Sequence, residues 1–265
     1  MDSAPHPPRK RFGQHFLHDR RVIERIVNAV DPHPGERLVE IGPGRGALTQ
    51  ALLERAGALD VVELDRDLAR GLAQRFGSAG GLRVHTADAL RFDFTALARA
   101  GERLRVVGNL PYNISTPLIF HLLAQRHALE DMHFMLQREI VDRLVAPPGG
   151  RDYGRLTVMV RYACDARRLF TVGAGAFTPA PRVASAFVRL SVRREPPVRV
   201  GDERVFERLV ARCFSQRRKT LRNTLRGWLA EADIRSAGVD PGARPQTLDL
   251  EAFAALARVL PQRED

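Results

Sequence analysis

The chain has little cysteine and no long hydrophobic run. Only two of its 265 residues are cysteines, Cys164 and Cys213, and both stand in apolar surroundings without the spacing of metal ligands. Such thiols are predicted to be reduced core residues, which excludes a disulfide-rich secreted domain and a cysteine-ligated metal site. Asparagines and prolines interrupt the uncharged stretch 106–125, which excludes a membrane span there. We therefore expect a cytoplasmic protein without a bound metal.

Acidic residues are too few to balance the basic ones. Lysine and arginine total 42 against 31 aspartates and glutamates, which gives a net charge of +11, and arginine supplies nearly all of the positive charge. This excess favours a polyanionic partner, although an arginine-rich protein from a GC-rich genome would carry the same charge. The first residues lack the apolar core of a signal peptide and include Arg9-Lys10-Arg11, which predicts a short basic arm.

A strand, a glycine turn and a helix follow one another near the N-terminus. The apolar run 38–41 predicts a buried strand, Gly42-Pro43-Gly44-Arg45-Gly46 follows it directly, and 47–55 has helical spacing without a breaker. Glycine permits positive φ and a close approach of the backbone to a ligand, and the N–H groups of the following helix point at that ligand. This segment therefore predicts one wall of a ligand site.

Glu63, Asp88 and Asn109 each follow an apolar run that predicts a further strand. Strands and helices alternate between residues 38 and 144, which predicts a parallel sheet with ligands at the carboxyl ends of its strands. A carboxylate at Glu63 could accept both hydroxyls of a ribose, and Asp88 could accept an amino proton of adenine. The predicted ligand is therefore an adenosine.

The segment Asn109-Leu110-Pro111-Tyr112 has the composition of a pocket for an aromatic amine. Adenine N6 is a poor nucleophile because its lone pair is delocalised into the ring. The side-chain carbonyl of Asn109 and the backbone carbonyl of Leu110 could accept its two N–H bonds, and Tyr112 offers a flat face for stacking. Taken alone, the tetrapeptide fits an ordinary Asn-x-Pro turn equally well. The strand ends that precede it favour the amine pocket.

The glycine spacing distinguishes between two adenosine cofactors. A nicotinamide dinucleotide needs a diphosphate cradle, normally G-x-G-x-x-G, whereas this chain has G-x-G-x-G from 42 to 46. The pattern favours S-adenosyl-L-methionine as the cofactor, with S-adenosyl-L-homocysteine as its product. A dehydrogenase is the distant alternative.

In order and spacing, these motifs resemble the bacterial small-subunit ribosomal RNA adenine N6,N6-dimethyltransferases, a family related to the erythromycin-resistance methylases and to the mitochondrial dimethyltransferases. The resemblance covers nearly the whole chain. The matching segments are QHFL (14–17), VEIGPGRGALT (39–49), VVELD (61–65), ADAL (87–90), GNLPYNIS (108–115), LQREIVDRL (136–144), YGRLTVM (153–159), FTPAPRVAS (177–185) and FSQRRKTLRNTL (214–225).

The resemblance implies an α/β fold in which a Rossmann-like S-adenosylmethionine-dependent methyltransferase domain, with a mostly parallel seven-stranded sheet, precedes a small C-terminal helical domain. We expect a basic N-terminal arm and cofactor lid at 1–17, the methyltransferase domain at 18–195 and a helical RNA-binding domain at 196–265. The string Arg193-Arg194-Glu195-Pro196-Pro197 breaks regular structure and marks the boundary.

The resemblance also implies roles for individual residues. Asn109, Leu110 and Tyr112 would hold the target base, and Phe177 would stack on its other face. RNA contacts are expected from Arg212, Arg217, Arg218, Lys219 and Arg222. Cofactor contacts are expected from Gln14, His15, Leu17, Gly42, Gly44, Gly46, Glu63, Leu64, Asp88, Ala89 and Asn109. The chain departs from the family pattern at His15, Ala180 and Ala184, where Asn, Pro and often Asp are usual.

The implied activity is transfer of methyl groups from S-adenosylmethionine to N6 of two adjacent adenines of small-subunit ribosomal RNA. The expected partner is the immature small ribosomal subunit, and the expected oligomeric state is a monomer. Two alternatives stay open: a large-subunit RNA dimethyltransferase of the macrolide-resistance type, and a non-catalytic RNA-binding or transcription-factor relative. The intact glycine turn, with Glu63, Asp88 and Asn109, argues against the second.

The C-terminal half carries two further patterns. The runs 155–164 and 184–192 predict a pair of strands that bracket the segment 172–182, which is rich in glycine and proline. From 204 to 226, eight basic residues stand against one acid, and the spacing predicts a helix with a basic and an apolar side, or two helices if Ser215-Gln216 breaks it. Such a charge density suits phosphate contacts more than a solvated surface.

Overall fold

The computed structural model describes residues 14–77, 80–99 and 101–260, so the predicted basic arm before residue 14 lies outside the described residues. The chain forms two compact units. The first unit contains the residues up to Val141 together with Ala166–Val192, and the second contains Asp142–Asp165 together with the residues from Arg193 onward.

A mixed seven-stranded sheet occupies the first unit. In chain order the strands of the described residues are β1 (Phe16–Leu17), β2 (Arg37–Ile41), β3 (Leu59–Glu63), β4 (Leu82–Thr86), β5 (Leu104–Asn109), β6 (Leu129–Gln137), β7 (Cys164–Val172), β8 (Phe177–Thr178) and β9 (Ser185–Val192). The sheet has the order β4-β3-β2-β5-β6-β9-β7, and β1 pairs separately with β8. Strands β2 to β6 are parallel, whereas β9 runs antiparallel to β6. The predicted mostly parallel seven-stranded sheet is confirmed.

Ten α-helices connect or follow these strands in the described part of the chain. They are α1 (Arg20–Val30), α2 (Ala47–Ala56), α3 (Arg66–Phe76), α4 (Ser115–Ala124), α5 (Arg138–Val145), α6 (Arg155–Ala163), α7 (Glu203–Ser215), α8 (Leu221–Thr224), α9 (Glu231–Ser236) and α10 (Leu250–Val259). Asp19, Asp65 and Asp202 precede α1, α3 and α7, and each carboxylate accepts one or two backbone N–H bonds of the first helical turn. These caps explain where the three helices begin. Among the described helices, none is long and apolar enough to cross a membrane.

The strand order places a crevice next to the glycine turn. Strands β2 and β5 are neighbours, and the chain continues from β2 to β3 on one side and from β5 to β6 on the other. At such a switch point the connections after two adjacent parallel strands diverge, which leaves a space beyond their carboxyl ends. Gly42 follows β2 and Asn109 ends β5, so both predicted ligand segments lie at this crevice.

The second unit is helical and has its own apolar core. Phe206, Leu209 and Cys213 of α7 are fully buried together with Leu221 of α8 and Phe253 of α10. Helix α7 ends at Ser215, so the predicted basic segment forms two helices. Both cysteines are buried, which confirms the prediction of core residues.

Two expectations about the C-terminal half differ from the structure. The run 155–164 was expected to be a strand, but 155–163 forms α6, and the strand β7 begins only at Cys164. An apolar run of this length fits either structure; here Leu156 and Val158 are buried, and Thr157 Oγ1 accepts the Gly154 N–H bond where the helix begins. Because this helix packs into the second core, residues 142–165 join the second unit, which the expected division at 195/196 did not include.

Candidate active site

A pocket of about 260 Å³ lies at the carboxyl ends of four parallel strands in the first unit. It is lined by Gly42 after β2, Glu63 at the end of β3, Asp88 after β4 and Asn109 at the end of β5. The structure thus brings together the three segments from which the sequence predicted an adenosine site and the Asn109 segment from which it predicted an amine pocket. Further predicted site residues on its wall are Gln14, His15, Leu17, Gly44, Leu64, Ala89, Leu110 and Tyr112.

The three glycines of the turn 42–46 have two different roles. Gly42 and Gly44 line the pocket with φ of 68° and 58°, and a Cβ on Gly44 would stand 3.0 Å from the Phe16 ring. Gly46 was expected to shape the same pocket, but it does not line it. Its φ is 80°, and a Cβ there would lie 2.7 Å from Leu72 Cδ2, so this glycine is needed for packing against α3.

Glu63 is held in one orientation at the pocket wall. Its side chain is only 6 % exposed; Oε1 accepts the Asp65 N–H bond (2.9 Å) and Oε2 accepts the Gly44 N–H bond (3.1 Å). Burial raises the pKa of this carboxyl, and the two backbone bonds oppose that rise. Each oxygen keeps a second lone pair, so the carboxylate could accept both hydroxyls of a ribose.

Asp88 and Leu64 provide the surfaces that an adenine ring needs. Asp88 Oδ1 accepts the Leu90 N–H bond (3.0 Å), which fixes the carboxylate beside the pocket. Leu64 is 49 % exposed, one of two large hydrophobic residues so exposed in the described part of the chain, and it lines the pocket with the buried Ala89. A flat apolar ring with an amino group at its edge fits an exposed aliphatic surface next to a hydrogen-bond acceptor.

Glu40 is a pocket residue that the sequence reasoning missed. It lies on β2, is 2 % exposed, lines the pocket and accepts a 2.6 Å hydrogen bond from the Thr49 hydroxyl on Oε2. Burial, with the neighbouring charge of Glu63, raises the pKa of Glu40 to about 8, so the carboxyl is mostly protonated at neutral pH. The signal in the sequence was an acid within the apolar strand that enters the glycine turn.

The Asn109 amide is oriented by the N-terminal segment. Its Nδ2 donates to the backbone carbonyl of His15 (2.8 Å), which directs Oδ1 away from that bond as the acceptor end of the side chain. The neighbouring Leu110 N–H donates to the Met135 carbonyl of β6 (3.2 Å), and Ser115 Oγ donates to the Pro111 carbonyl (3.0 Å). These bonds fix the turn that carries Asn109 and Tyr112.

Residues 14–18 are fastened over the pocket by the segment 176–179. Strand β1 pairs with β8, the His18 N–H bond goes to Ala176, and the His15 ring donates from Nδ1 to the Pro179 carbonyl (2.7 Å). The Phe16 ring is buried under the guanidinium of Arg45, 4.6 Å from the ring centroid. These contacts give the segment a defined position over the pocket.

The ring that faces Tyr112 in the structure is that of His15, whereas the sequence predicted Phe177 as the second ring of a base clamp. Tyr112 shares a 2.8 Å hydrogen bond with Ser185 Oγ, and the His15 ring stacks on the Tyr112 ring with centroids 5.4 Å apart and an angle of 29°. Phe177, expected to form the second face of a base clamp, is 3 % exposed, packs in the core near Leu17 and does not line the pocket. The pairing of β8 with β1 turns Phe177 inward.

The five residues expected to bind RNA lie in the second unit and differ in what their side chains do. Arg212 Nε donates to the Thr224 carbonyl (2.9 Å), and Arg217 donates to Gln246 Oε1 (3.2 Å) and to the carbonyls of Gly150 and Arg151. Arg218, Lys219 and Arg222 are exposed. Only the last three present their charges mainly to solvent.

Two solved structures share this architecture over nearly their whole length. A dimethyladenosine transferase from Plasmodium falciparum superposes with a TM-score of 0.76 at 25% identity, over 91% of this chain and 96% of that one. The 23S rRNA methyltransferase ErmE superposes with a TM-score of 0.70 at 28% identity, over 92% and 99%. The sheet order, the antiparallel β9 and the pocket at the switch point define a Rossmann-like methyltransferase of the S-adenosylmethionine-dependent class.

Sequence comparison narrows this class to one family. The model of the ribosomal RNA adenine dimethylase family matches residues 6–260, and the chain belongs to this family. Two similar proteins, both called ribosomal RNA small subunit methyltransferase A, come from Pseudomonas aeruginosa and Nitrosococcus oceani. The first is 57% identical over 255 residues (96% of this chain and 95% of the relative), and the second is 55% identical over 258 residues (97% and 98%).

Proposed function

We propose that this chain transfers methyl groups from S-adenosylmethionine to N6 of two adjacent adenines of small-subunit ribosomal RNA, giving N6,N6-dimethyladenosines. The observation that carries the proposal is the convergence of Gly42, Glu63, Asp88 and Asn109 on one pocket. The names of the relatives from Pseudomonas aeruginosa and Nitrosococcus oceani support the small-subunit target.

The residues that line the pocket have the chemistry that S-adenosylmethionine needs. Glu63 would hold the ribose, Asp88 the adenine amino group, and Leu64 the ring, while Gly42 and Gly44 allow the backbone to approach the ligand closely. Gln14 and Leu17 would close over its methionine end. When bound, the cofactor supplies a methyl group that is activated by the positive charge on sulfur. The carboxylates on the wall suit a cationic ligand.

Asn109 and Leu110 would hold the reacting amine of the target base. Asn109 Oδ1 and the Leu110 carbonyl would accept the two N–H bonds of N6, which draws the nitrogen toward tetrahedral geometry and frees its lone pair. The Asn109–His15 bond keeps the amide in the orientation that this contact requires. The protein then acts mainly by positioning the amine in line with the methyl donor and by excluding water.

The target base would stack on Tyr112, and this requires the His15 ring to move. Two aromatic faces that enclose a base are roughly 7 Å apart, twice the contact distance of carbon atoms. The two rings are 5.4 Å apart, so no base fits between them. Rotation of the His15 side chain would clear Tyr112 while the His15 carbonyl still accepts the Asn109 bond. The base itself must leave its stack to reach the pocket.

The exposed cations of the second unit would contact RNA phosphates. Arg218→Ala or Lys219→Ala should weaken RNA binding and lower its salt dependence by about one counterion, because each change removes one phosphate contact. Arg217→Ala should mainly lower the stability of the second unit, because its guanidinium bonds backbone carbonyls of Gly150 and Arg151. Binding measured at several salt concentrations, with thermal melts of all three variants, separates the two effects.

The function is tested by incubating the protein with a labelled methyl donor and one of three substrates: free small-subunit RNA, immature small subunits or large-subunit RNA. Dimethyladenosine mapped to two adjacent positions of the small-subunit RNA is expected. Methylation of large-subunit RNA alone would instead assign the macrolide-resistance type of activity. Absence of transfer to all three substrates, with RNA still bound, would point to the non-catalytic relatives. A Glu63→Gln variant serves as the control for cofactor-dependent label.

A further inference from the structure

The chain has a single tryptophan, Trp228, and it stands at the surface of the second unit. Its ring is partly buried against the helical core, and its remaining surface lines an open groove between α8 and α9. The groove, called the Trp228 groove here, is lined by Arg222, Arg226, Gly227, Trp228, Leu229, Ala230 and Glu231. Tryptophan is a costly residue to leave in contact with water, so an incompletely buried indole beside arginines marks a candidate contact surface.

The indole is held in place by its surroundings. The backbone N–H groups of Trp228 and Leu229 both donate to the Leu225 carbonyl (2.8 and 3.0 Å), which fixes the backbone that carries the ring. The ring itself lies against the helical core, and Arg212 Cζ is 5.8 Å from the ring centroid. A ring fixed by its neighbours loses little conformational entropy when a ligand stacks on it, which favours binding.

The groove is positively charged, and its arginines are weakly engaged. Arg222 Nη1 is 3.9 Å from Glu231 Oε1, and Arg226 Nη2 is 3.4 Å from Asn223 Oδ1; both arginines are exposed. Glu231 is the one acid among the described lining residues. Solvent-exposed pairs at such distances contribute little, so a phosphate could replace them.

We infer that the Trp228 groove binds an unpaired nucleotide of the RNA substrate, with the base stacked on Trp228 and the adjoining phosphate held by Arg222 and Arg226. The inference rests on the proposed function in that the ligand is taken to be RNA. An aromatic face next to arginines matches single-stranded nucleic acid, whose bases are free to stack. A duplex keeps its bases paired and could use only the arginines.

The single tryptophan makes a direct test possible, because all indole fluorescence of the full chain comes from Trp228. We expect a mixed-sequence single-stranded oligoribonucleotide to quench this emission by about half or more at saturation. The same strand annealed to its complement, and inorganic polyphosphate as a probe of charge alone, should leave most of the emission. Equal quenching by polyphosphate would overturn a stacking site.

Variants test the same groove without relying on fluorescence. Filter binding of the single strand should weaken about tenfold or more for Trp228→Leu and less for Trp228→Phe, which keeps a stacking ring. Arg226→Gln should weaken binding severalfold, whereas Arg244→Gln, an exposed arginine of the same unit outside the groove lining, should not. Because Arg226 is exposed, this comparison holds even where a Trp228 variant fails to fold.

The outcomes separate the groove from the proposed function. One outcome would overturn the groove and leave the activity standing. In it, the chain fully methylates small-subunit RNA, the single strand does not quench Trp228 emission, and Arg226→Gln binds RNA as tightly as Arg244→Gln. Failure of the wild-type chain both to bind RNA and to methylate it would overturn both. Quenching by the single strand, weakened binding by Arg226→Gln and intact cofactor affinity would support the groove.

Discussion

Replacement of Asn109 by alanine separates catalysis from cofactor binding. The change removes Oδ1, proposed to accept one of the two N–H bonds of the reacting amine, and it also removes the 2.8 Å bond from Nδ2 to the His15 carbonyl. Loss of one hydrogen-bonding group that is aimed at the charge developing on a reacting atom typically lowers the rate about 100- to 1,000-fold. We expect a fall of this size in the rate of methyl transfer at saturating cofactor and RNA.

The cofactor affinity of the Asn109→Ala variant should change much less. The His15 bond holds the segment that covers the pocket, and one such neutral hydrogen bond contributes about 0.5–1.5 kcal/mol. The dissociation constant for S-adenosylmethionine should therefore rise by less than about tenfold, since 1.4 kcal/mol corresponds to a factor of ten.

Single-turnover methyl transfer and calorimetric titration with S-adenosylmethionine measure the two quantities on the same preparation. Asn28→Ala is a suitable control, because Asn28 is an exposed asparagine on α1 whose Oδ1 accepts a hydrogen bond from Arg55. A cofactor affinity that falls as far as the rate would refute the assigned role, and so would a rate within a factor of ten of the wild type.

Three further variants test other parts of the site. Gly46→Ala should lower the free energy of unfolding, measured by urea titration, by about 2 kcal/mol or more, because the new Cβ would lie 2.7 Å from Leu72 at a residue with positive φ. Gly57→Ala is the control: its φ is also positive but the space around it is open, so the change should cost about 1 kcal/mol. Burial raises the pKa of Glu40 to about 8, so between about pH 4.5 and 8 the folded state holds a proton that the unfolded state has released. The contribution of Glu40 to the free energy of unfolding should therefore fall as pH rises through this range, by at most about 1.4 kcal/mol per pH unit. Glu40→Gln should flatten that dependence, and parallel slopes would contradict it. His15→Ala should lower the KM for RNA by clearing Tyr112, whereas a higher KM would make His15 part of the base site.

The sequence was sufficient for the fold of the first unit because its strands are short apolar runs closed by glycine or polar residues. The runs before Gly42, Glu63 and Asn109 became β2, β3 and β5 within one or two residues of their predicted ends. Residues 155–163 were less predictable, because β-branched and apolar residues fill buried strands and buried helices alike. Only the tertiary contacts of α6 with the second core decide between the two.

The site residues at the strand ends could be predicted from the sequence, but the side-chain directions in the loops could not. A polar residue after an apolar run is visible in the sequence, as Glu63 and Asp88 illustrate. The direction of a side chain in a loop depends on long-range pairing: Phe177 turns into the core because β8 pairs with β1, more than 150 residues away in the chain. The same pairing brings His15 onto Tyr112, a contact that no local pattern encodes.

A crystal structure of the protein with S-adenosyl-L-homocysteine is the most direct measurement of the central claim, that the ends of four separate strands form one site for a methyl donor and a purine. The ribose hydroxyls are expected within hydrogen-bonding distance of the Glu63 carboxylate, with the adenine amino group beside Asp88 and the sulfur facing Asn109. A ligand bound away from these residues, or in contact with Glu63 but with its sulfur far from Asn109, would contradict the account.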